Sequence, residues 1–132
     1  MEQYFLDSSF IIAYIREKDE MYERAGELRN KYRDASSFFI TDHILSEVVT
    51  FLTKRDGKET AHKIGFGLLK SEIKILFPEE KDLEQALGIL KKFDKLSFCD
   101  ALNLVIMERR KIKKILSFDS DFDRFPGIER VY

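Results

Sequence analysis

Apolar positions along the chain fall into two alternating kinds of run. Short stretches rich in β-branched and aromatic residues ("QYFLD", "SFFIT", "IKILF", "KILSF" and "IERVY") read as strands, and the longer stretches between them carry apolar residues at helical spacing. A short helical piece is predicted through Ile12 and Tyr14, and the charged stretch Glu20 to Asp34, with its sparse apolar stripe, predicts an exposed amphipathic helix. Ile44, Leu45, Val48, Val49 and Leu52 mark a buried-face helix that Gly57 stops. A further helix is expected from Thr60 to about Lys70, although Gly65 and Gly67 weaken it. Glu80 to Phe93 predicts a helix with Leu83, Ala86, Leu87 and Leu90 inward, and the last helix runs from Ser97 to about Arg110.

Strands alternating with helices predict an α/β fold of three layers, a central, mainly parallel sheet of about five strands flanked by helices. Right-handed crossovers then stack the C-terminal ends of the strands along one edge, where open α/β sheets bind their ligands. At 132 residues, with no linker, repeat or low-complexity segment, the chain reads as a single domain over residues 1–132. Hydrophobic residues at 44% and charged residues at 36% fit a folded domain and exclude a disordered one. A net charge of −1 argues against a DNA-coating role. The opening "MEQYFLD" has neither a basic segment nor a long apolar one, so no signal peptide or membrane span is expected and the protein is read as cytoplasmic.

The chemistry lies in the acids. "ILSFDSDFDRF" places Asp119, Asp121 and Asp123 directly behind an apolar strand, and two carboxylates about 4 Å apart cost on the order of 4 kcal/mol at an effective dielectric near 20. A solvated turn is the bland explanation. The predicted topology, however, brings Asp7 (end of the first strand) and Asp119 (end of the fourth) to the same edge. Asp100, in the first turn of the last helix, and Glu47, in the second turn of the helix leaving the second strand, converge there as well.

Each has a structural alternative. Asp7 can cap the helix that follows, and Ser97 with Asp100 fits a capping box. Glu47 has no basic residue at i+3 or i+4 to pair with. Taken together the four suggest a site for a hard cation, Mg²⁺ or Mn²⁺, built from oxygen ligands. A thiolate or imidazole site does not fit, because Cys99 reads as a small buried hydrophobe and His43 and His62 as isolated helix-end or surface residues. Such cations act on phosphate esters, and the lack of a Walker A sequence favours phosphodiester hydrolysis over ATP chemistry.

"YFLDSSFIIAY", "TDHILSEVVTFL", "LSFCDALNLVIM" and "ILSFDSDFDRFPGIERV" together resemble the PIN-domain ribonucleases, especially VapC-type toxins of toxin–antitoxin pairs, in the family's order and over nearly the whole chain. The resemblance implies an Mg²⁺- or Mn²⁺-dependent endoribonuclease with Asp7, Glu47, Asp100 and Asp119 as its acidic quartet. It implies metal contact by Asp7, Asp100, Asp119 and Asp121, with the small hydroxyls of Ser9 and Ser117 orienting the first and last acids. It gives Asp123 no counterpart, and Asp123 is read as solvated. It further implies RNA as substrate, 5′-phosphate and 3′-hydroxyl products, a homodimer and a cognate antitoxin.

Arg16, Lys95 and Arg124 lie towards the acidic edge and are candidate phosphate contacts, whereas "ERRKIKK" (Glu108 to Lys114) falls at the opposite edge, where cations suit a helix C-terminus. Phe51, Leu52, Phe66 and Leu68 either line a groove for an antitoxin or a second copy, or pack into the core. An inactive PIN scaffold or RNA-binding module, and an RNA-processing nuclease without an antitoxin, are the competing readings. A receiver domain is excluded by the single acid after the first strand and the missing acceptor Asp after the third.

Overall fold

The computed structural model describes residues 2–132. Among them the chain runs β1 (Glu2–Leu6), α1 (Ser8–Ile15), α2 (Tyr22–Tyr32), β2 (Ser36–Thr41), α3 (Asp42–Asp56), α4 (Lys58–Lys70), β3 (Lys74–Leu76), α5 (Glu80–Lys92), α6 (Phe98–Arg110), β4 (Lys114–Leu116), a 3-10 turn (Ser120–Arg124) and β5 (Glu129–Val131). The strands form one sheet in the order β3-β2-β1-β4-β5, and every neighbouring pair is parallel. Six helices flank it.

Parallel strands covered on both faces need unbroken apolar runs rather than alternation. Tyr4, Phe5 and Leu6 of β1, Phe38, Phe39 and Ile40 of β2, and Ile115 and Leu116 of β4 are accordingly all buried. Helix α6 is the most deeply set, with every residue from Ala101 to Met107 buried. Register then aligns the strand ends: Leu6 pairs with Leu116, and the Asp7 N–H continues the ladder onto the Leu116 carbonyl at 3.1 Å. The Ser117 N–H does the same onto Val131 at 3.2 Å. Asp7, Thr41 and Ser117 thus stand side by side at the C-terminal edge of the sheet.

Gly57 separates α3 from α4 at φ +95°, a conformation that L side chains rarely adopt. Its N–H closes α3 on Leu52 O at 3.1 Å and its carbonyl opens α4 by accepting Ala61 N–H at 3.1 Å, so α4 starts two residues earlier than its apolar spacing suggests.

Helix α5 departs from its expected orientation. Leu83 and Leu87, predicted inward, are exposed, at 37% and 57%, while Asp82 and Ala86 are buried. A capping box turns the helix: Glu79 N–H donates to Asp82 Oδ2 at 2.8 Å, and the Glu79 side chain accepts an N–H in return. Arg109 of α6 then grips the same carboxylate, Nε to Oδ1 at 3.0 Å and Nη2 to Oδ2 at 2.9 Å. A buried carboxylate with this many donors outranks two leucines in setting the helix face.

Candidate active site at the sheet edge

Asp7 occupies the N-cap position of α1 but makes no side-chain cap bond. Its Oδ2 accepts instead from Ser9 Oγ at 2.7 Å and from Ser117 Oγ at 2.8 Å. The two hydroxyl oxygens lie 3.3 Å apart and organise the turn after β4, since Phe118 N–H donates to Ser9 Oγ at 3.1 Å and Asp119 N–H to Ser117 Oγ at 3.0 Å. Asp119 in turn accepts Asp121 N–H on Oδ1 at 2.9 Å, capping the 3-10 turn. The bland reading of the aspartate-rich turn therefore holds for one oxygen of Asp119. One continuous hydroxyl and amide network joins the first acid to the last.

Asp100 enters from the first turn of α6, where Ser97 Oγ caps the helix by accepting the Asp100 N–H at 3.0 Å. Its carboxyl is pushed up to about 6, chiefly by burial and then by Asp7, with Asp119 and Glu47 acting in the same direction and the Ser97 hydroxyl opposing them. Burial also raises Asp7, the Ser9 and Ser117 hydroxyls pull it back, and Asp119 adds to the rise. Asp100 thus feels the charge of Asp7, Asp119 and Glu47, and Asp7 that of Asp119. Half-buried Glu47 reaches Cys99 as well, and burial together with Glu47 pushes that thiol up to about 12, which keeps it protonated at neutral pH.

The remaining sequence candidates divide. Asp121 is exposed, and its tie to the group runs through its backbone N–H rather than its carboxylate. Arg16 is committed to Asp56, Nε to Oδ2 at 2.9 Å and Nη2 to Oδ1 at 3.2 Å. Arg124 is exposed and anchors to the carbonyls of Asp94 at 3.2 Å and Asp121 at 3.4 Å, which leaves its charge unneutralised. Lys95 is exposed in the left-handed region at φ +66°. In the basic run Arg109 is spent on Asp82, and Lys114 pairs with Glu2 at 3.3 Å and Glu129 at 3.8 Å. Leu52 and Leu68 belong to the core, whereas Phe66 is 52% exposed.

Two features escaped the sequence reading. Asp123 is exposed, as expected, but it is also paired, since Arg130 holds it with Nε to Oδ1 at 2.8 Å and Nη2 to Oδ2 at 2.9 Å. His43 stands at the start of α3, a helix-end position as expected, but it is not isolated. It forms with Thr41 and Asn103 a polar cluster in which Thr41 Oγ1 donates to Asn103 Oδ1 at 3.1 Å and His43 Nε2 contacts both. Asn103 is fully buried one turn beyond Asp100, and its Nδ2 has no partner among the described residues. A lone Asn in the apolar run "ALNLVIM" was the available signal.

Among the described residues no group of three or more His, Cys, Asp or Glu side chains stands arranged to hold a metal ion. The acids meet as mutually repelling carboxylates. The donor set is nevertheless all oxygen, and the charges acting most strongly on Asp7 and Asp100 are negative, so a divalent cation would relieve the strain that burial and repulsion create.

A model of the PIN domain matches residues 4–128. Ribonuclease VapC13 of Mycobacterium tuberculosis is 40% identical over 53 residues, covering 40% of each chain. A VapC ribonuclease of Archaeoglobus fulgidus is 34% identical over 98 residues, covering 71% of this chain and 60% of its own. The match therefore spans less than half the length of the first relative and three fifths of the second. Among solved structures, Mycobacterium tuberculosis VapC20, a sarcin-ricin loop cleaving toxin, superposes with a TM-score of 0.84 at 25% identity, over 92% of this chain and 93% of that one.

Proposed function

The chain belongs to the PIN-domain family, and on that premise we propose that it is an Mg²⁺- or Mn²⁺-dependent endoribonuclease and the toxin of a toxin–antitoxin pair. The observation that carries this reading is the hydroxyl network that ties Asp7 to the turn of Asp119 at one sheet edge, with Asp7, Asp119 and Glu47 all near enough to raise the Asp100 carboxyl. Similarity to VapC ribonucleases and to a sarcin-ricin loop cleaving toxin supports the choice of RNA as substrate, and the motif resemblance supports a small antitoxin as partner. A homodimer and a single domain over residues 1–132 complete the proposal. No helix among the described residues is long and apolar enough to cross a membrane.

Asp7, Asp100 and Asp119 are the residues that would hold the cation, with Asp121 in support from the turn. A divalent cation bound there supplies a lowered pKa for the attacking water and charge compensation at the scissile phosphate. The chain's own share is orientation and proton handling. Ser9 and Ser117 fix Asp7 through Oδ2, and Ser117 sets Asp119 through its amide. Glu47, beside Asp100, takes the proton of the attacking water. That oxygen bonds to phosphorus as the bond to the 3′-oxygen breaks, the 3′-oxygen takes a proton from solvent water as it leaves, and Glu47 returns its own proton to solvent. Exposed Arg124 and Lys95 contact RNA phosphates, and Arg16 does so only by leaving Asp56.

The test is cleavage of total RNA by purified protein with Mn²⁺, with Mg²⁺ and with chelator, beside Asp7→Asn. Metal-dependent cutting that vanishes in the variant is expected. Cutting that survives in chelator, or an Asp7→Asn protein as active as wild type, would overturn the proposal. Calorimetric titration with Mn²⁺ separates an inert scaffold, which binds none, from a nuclease with a narrow target.

A further inference from the structure

We propose that Arg130, clamped by Asp123, is a positioning residue for the acidic group, fixing Ser117 from behind and so setting where Asp7 and Asp119 stand. The inference rests on the metal-dependent reading above and adds two residues to it.

Arg130 belongs to β5, an edge strand, yet its side chain is only 7% exposed. Each part of the guanidinium is engaged. Nε and Nη2 take the two oxygens of Asp123, Nη1 donates to the Ser117 carbonyl at 3.2 Å, and the Tyr132 ring lies 3.7 Å from the guanidinium carbon. Ser117 is fully buried and is the hub of the site, donating from Oγ to Asp7 Oδ2 and accepting the Asp119 N–H on the same atom. An unbroken chain of hydrogen bonds therefore runs from Asp123 through Arg130 and Ser117 to both acids.

A surface ion pair that merely pinned the 3-10 turn would not need the third bond to Ser117, nor a buried cation whose neighbours include Asp119. The planar fork makes this possible, because a lysine has one point of charge and cannot hold a carboxylate and a carbonyl in fixed directions at once. Groups one shell behind metal ligands hold those ligands to the geometry a cation requires, and their loss typically weakens metal binding by about ten- to a hundredfold.

The experiment compares wild type, Asp123→Asn and Arg130→Lys by Mn²⁺ calorimetry and by RNA cleavage at saturating Mn²⁺, with thermal unfolding in chelator to establish that each is folded. Both variants are expected to fold, to bind Mn²⁺ measurably more weakly, by less than the about ten- to hundredfold typical of a group bonded directly to a ligand, and to lose kcat with KM for RNA unchanged. Arg130→Lys keeps the charge and is expected not to rescue. Wild-type Mn²⁺ affinity and kcat in a folded variant would overturn the inference, and so would a change confined to KM, which would make these residues RNA contacts. If Arg130→Lys does not fold, Asp123→Asn decides alone. A wild-type protein that neither binds Mn²⁺ nor cuts RNA refutes the functional reading itself, an outcome distinct from a working enzyme indifferent to Asp123.

Discussion

Between its ordinary value of 3.8 and about 6, the Asp100 carboxyl is protonated in the folded protein and ionised in the unfolded chain. The folded state binds the extra proton, so stability falls as pH rises through this interval, and the full penalty applies above it. Asp100 keeps some contact with solvent, and after screening the penalty is about 1–2 kcal/mol. In chelator, Asp100→Asn should therefore unfold at a higher temperature than wild type at pH 7.5, with the difference shrinking towards pH 4. A thermal unfolding series across that range checks it. A variant less stable than wild type at every pH would mean that the Asp100 carboxyl serves the helix start, a task the structure gives to Ser97 Oγ. At this scale the sequence told which acids share an edge, because strand ends and first helical turns are short-range features. It could not reveal Arg130 as the partner of Asp123, 7 residues on in β5, or Asn103 as a partner of His43, 60 residues on in α6.

Helix α5 illustrates the same limit one level up. Its boundaries were legible from the spacing of apolar residues, but the choice of buried face was decided by Arg109, 27 residues further on. A periodicity argument counts leucines and has no means of weighing a guanidinium that arrives from α6. The expected consequence is that Asp82→Ala costs about 2–3 kcal/mol, combining the loss of a cap with a half-buried arginine left unpaired. Urea unfolding of the variant measures this directly. The pair also has a pH signature: burial raises the Asp82 carboxyl, but the Glu79 amide and Arg109 together outweigh it and hold the group below its usual range, so its contribution persists at neutral pH and is lost as pH falls through that lowered value. A loss smaller than about 0.5 kcal/mol, the range of ordinary surface substitutions, would show that Leu83 and Leu87 can take the inward face at little cost.

For the molecule as a whole, the fold is stabilised by its apolar layers and strained at one edge by its acids. Binding of a cation to that edge in the folded state alone raises stability by mass action, by about 2.7 kcal/mol at a hundredfold excess over the dissociation constant. For a chain of this size that is a rise in Tm of about 10 °C. Mn²⁺ should produce this shift in wild type, flatten the pH dependence described for Asp100, and do neither in Asp7→Asn. Calorimetric scans with and without Mn²⁺ test it, and a Tm indifferent to Mn²⁺ in wild type would refute the assignment of the edge as a cation site. The parallel sheet itself was readable from alternation of strand and helix, since burial of both faces forces continuous apolar strands.

The placing of β1 in the middle of the sheet reaches beyond the finished molecule. Asp7 is made well before Ser117, which orients it from 110 residues downstream. Contacts this distant in sequence form late and slowly. Throughout synthesis the nascent chain carries Asp7, then Glu47, then Asp100, with no β4 to align the first of them and no Asp119 to complete the group. A fragment released before Ile115 would lack both Ser117 and Asp119. The order of the strands thus leaves every unfinished copy with an acidic group that is neither complete nor aligned.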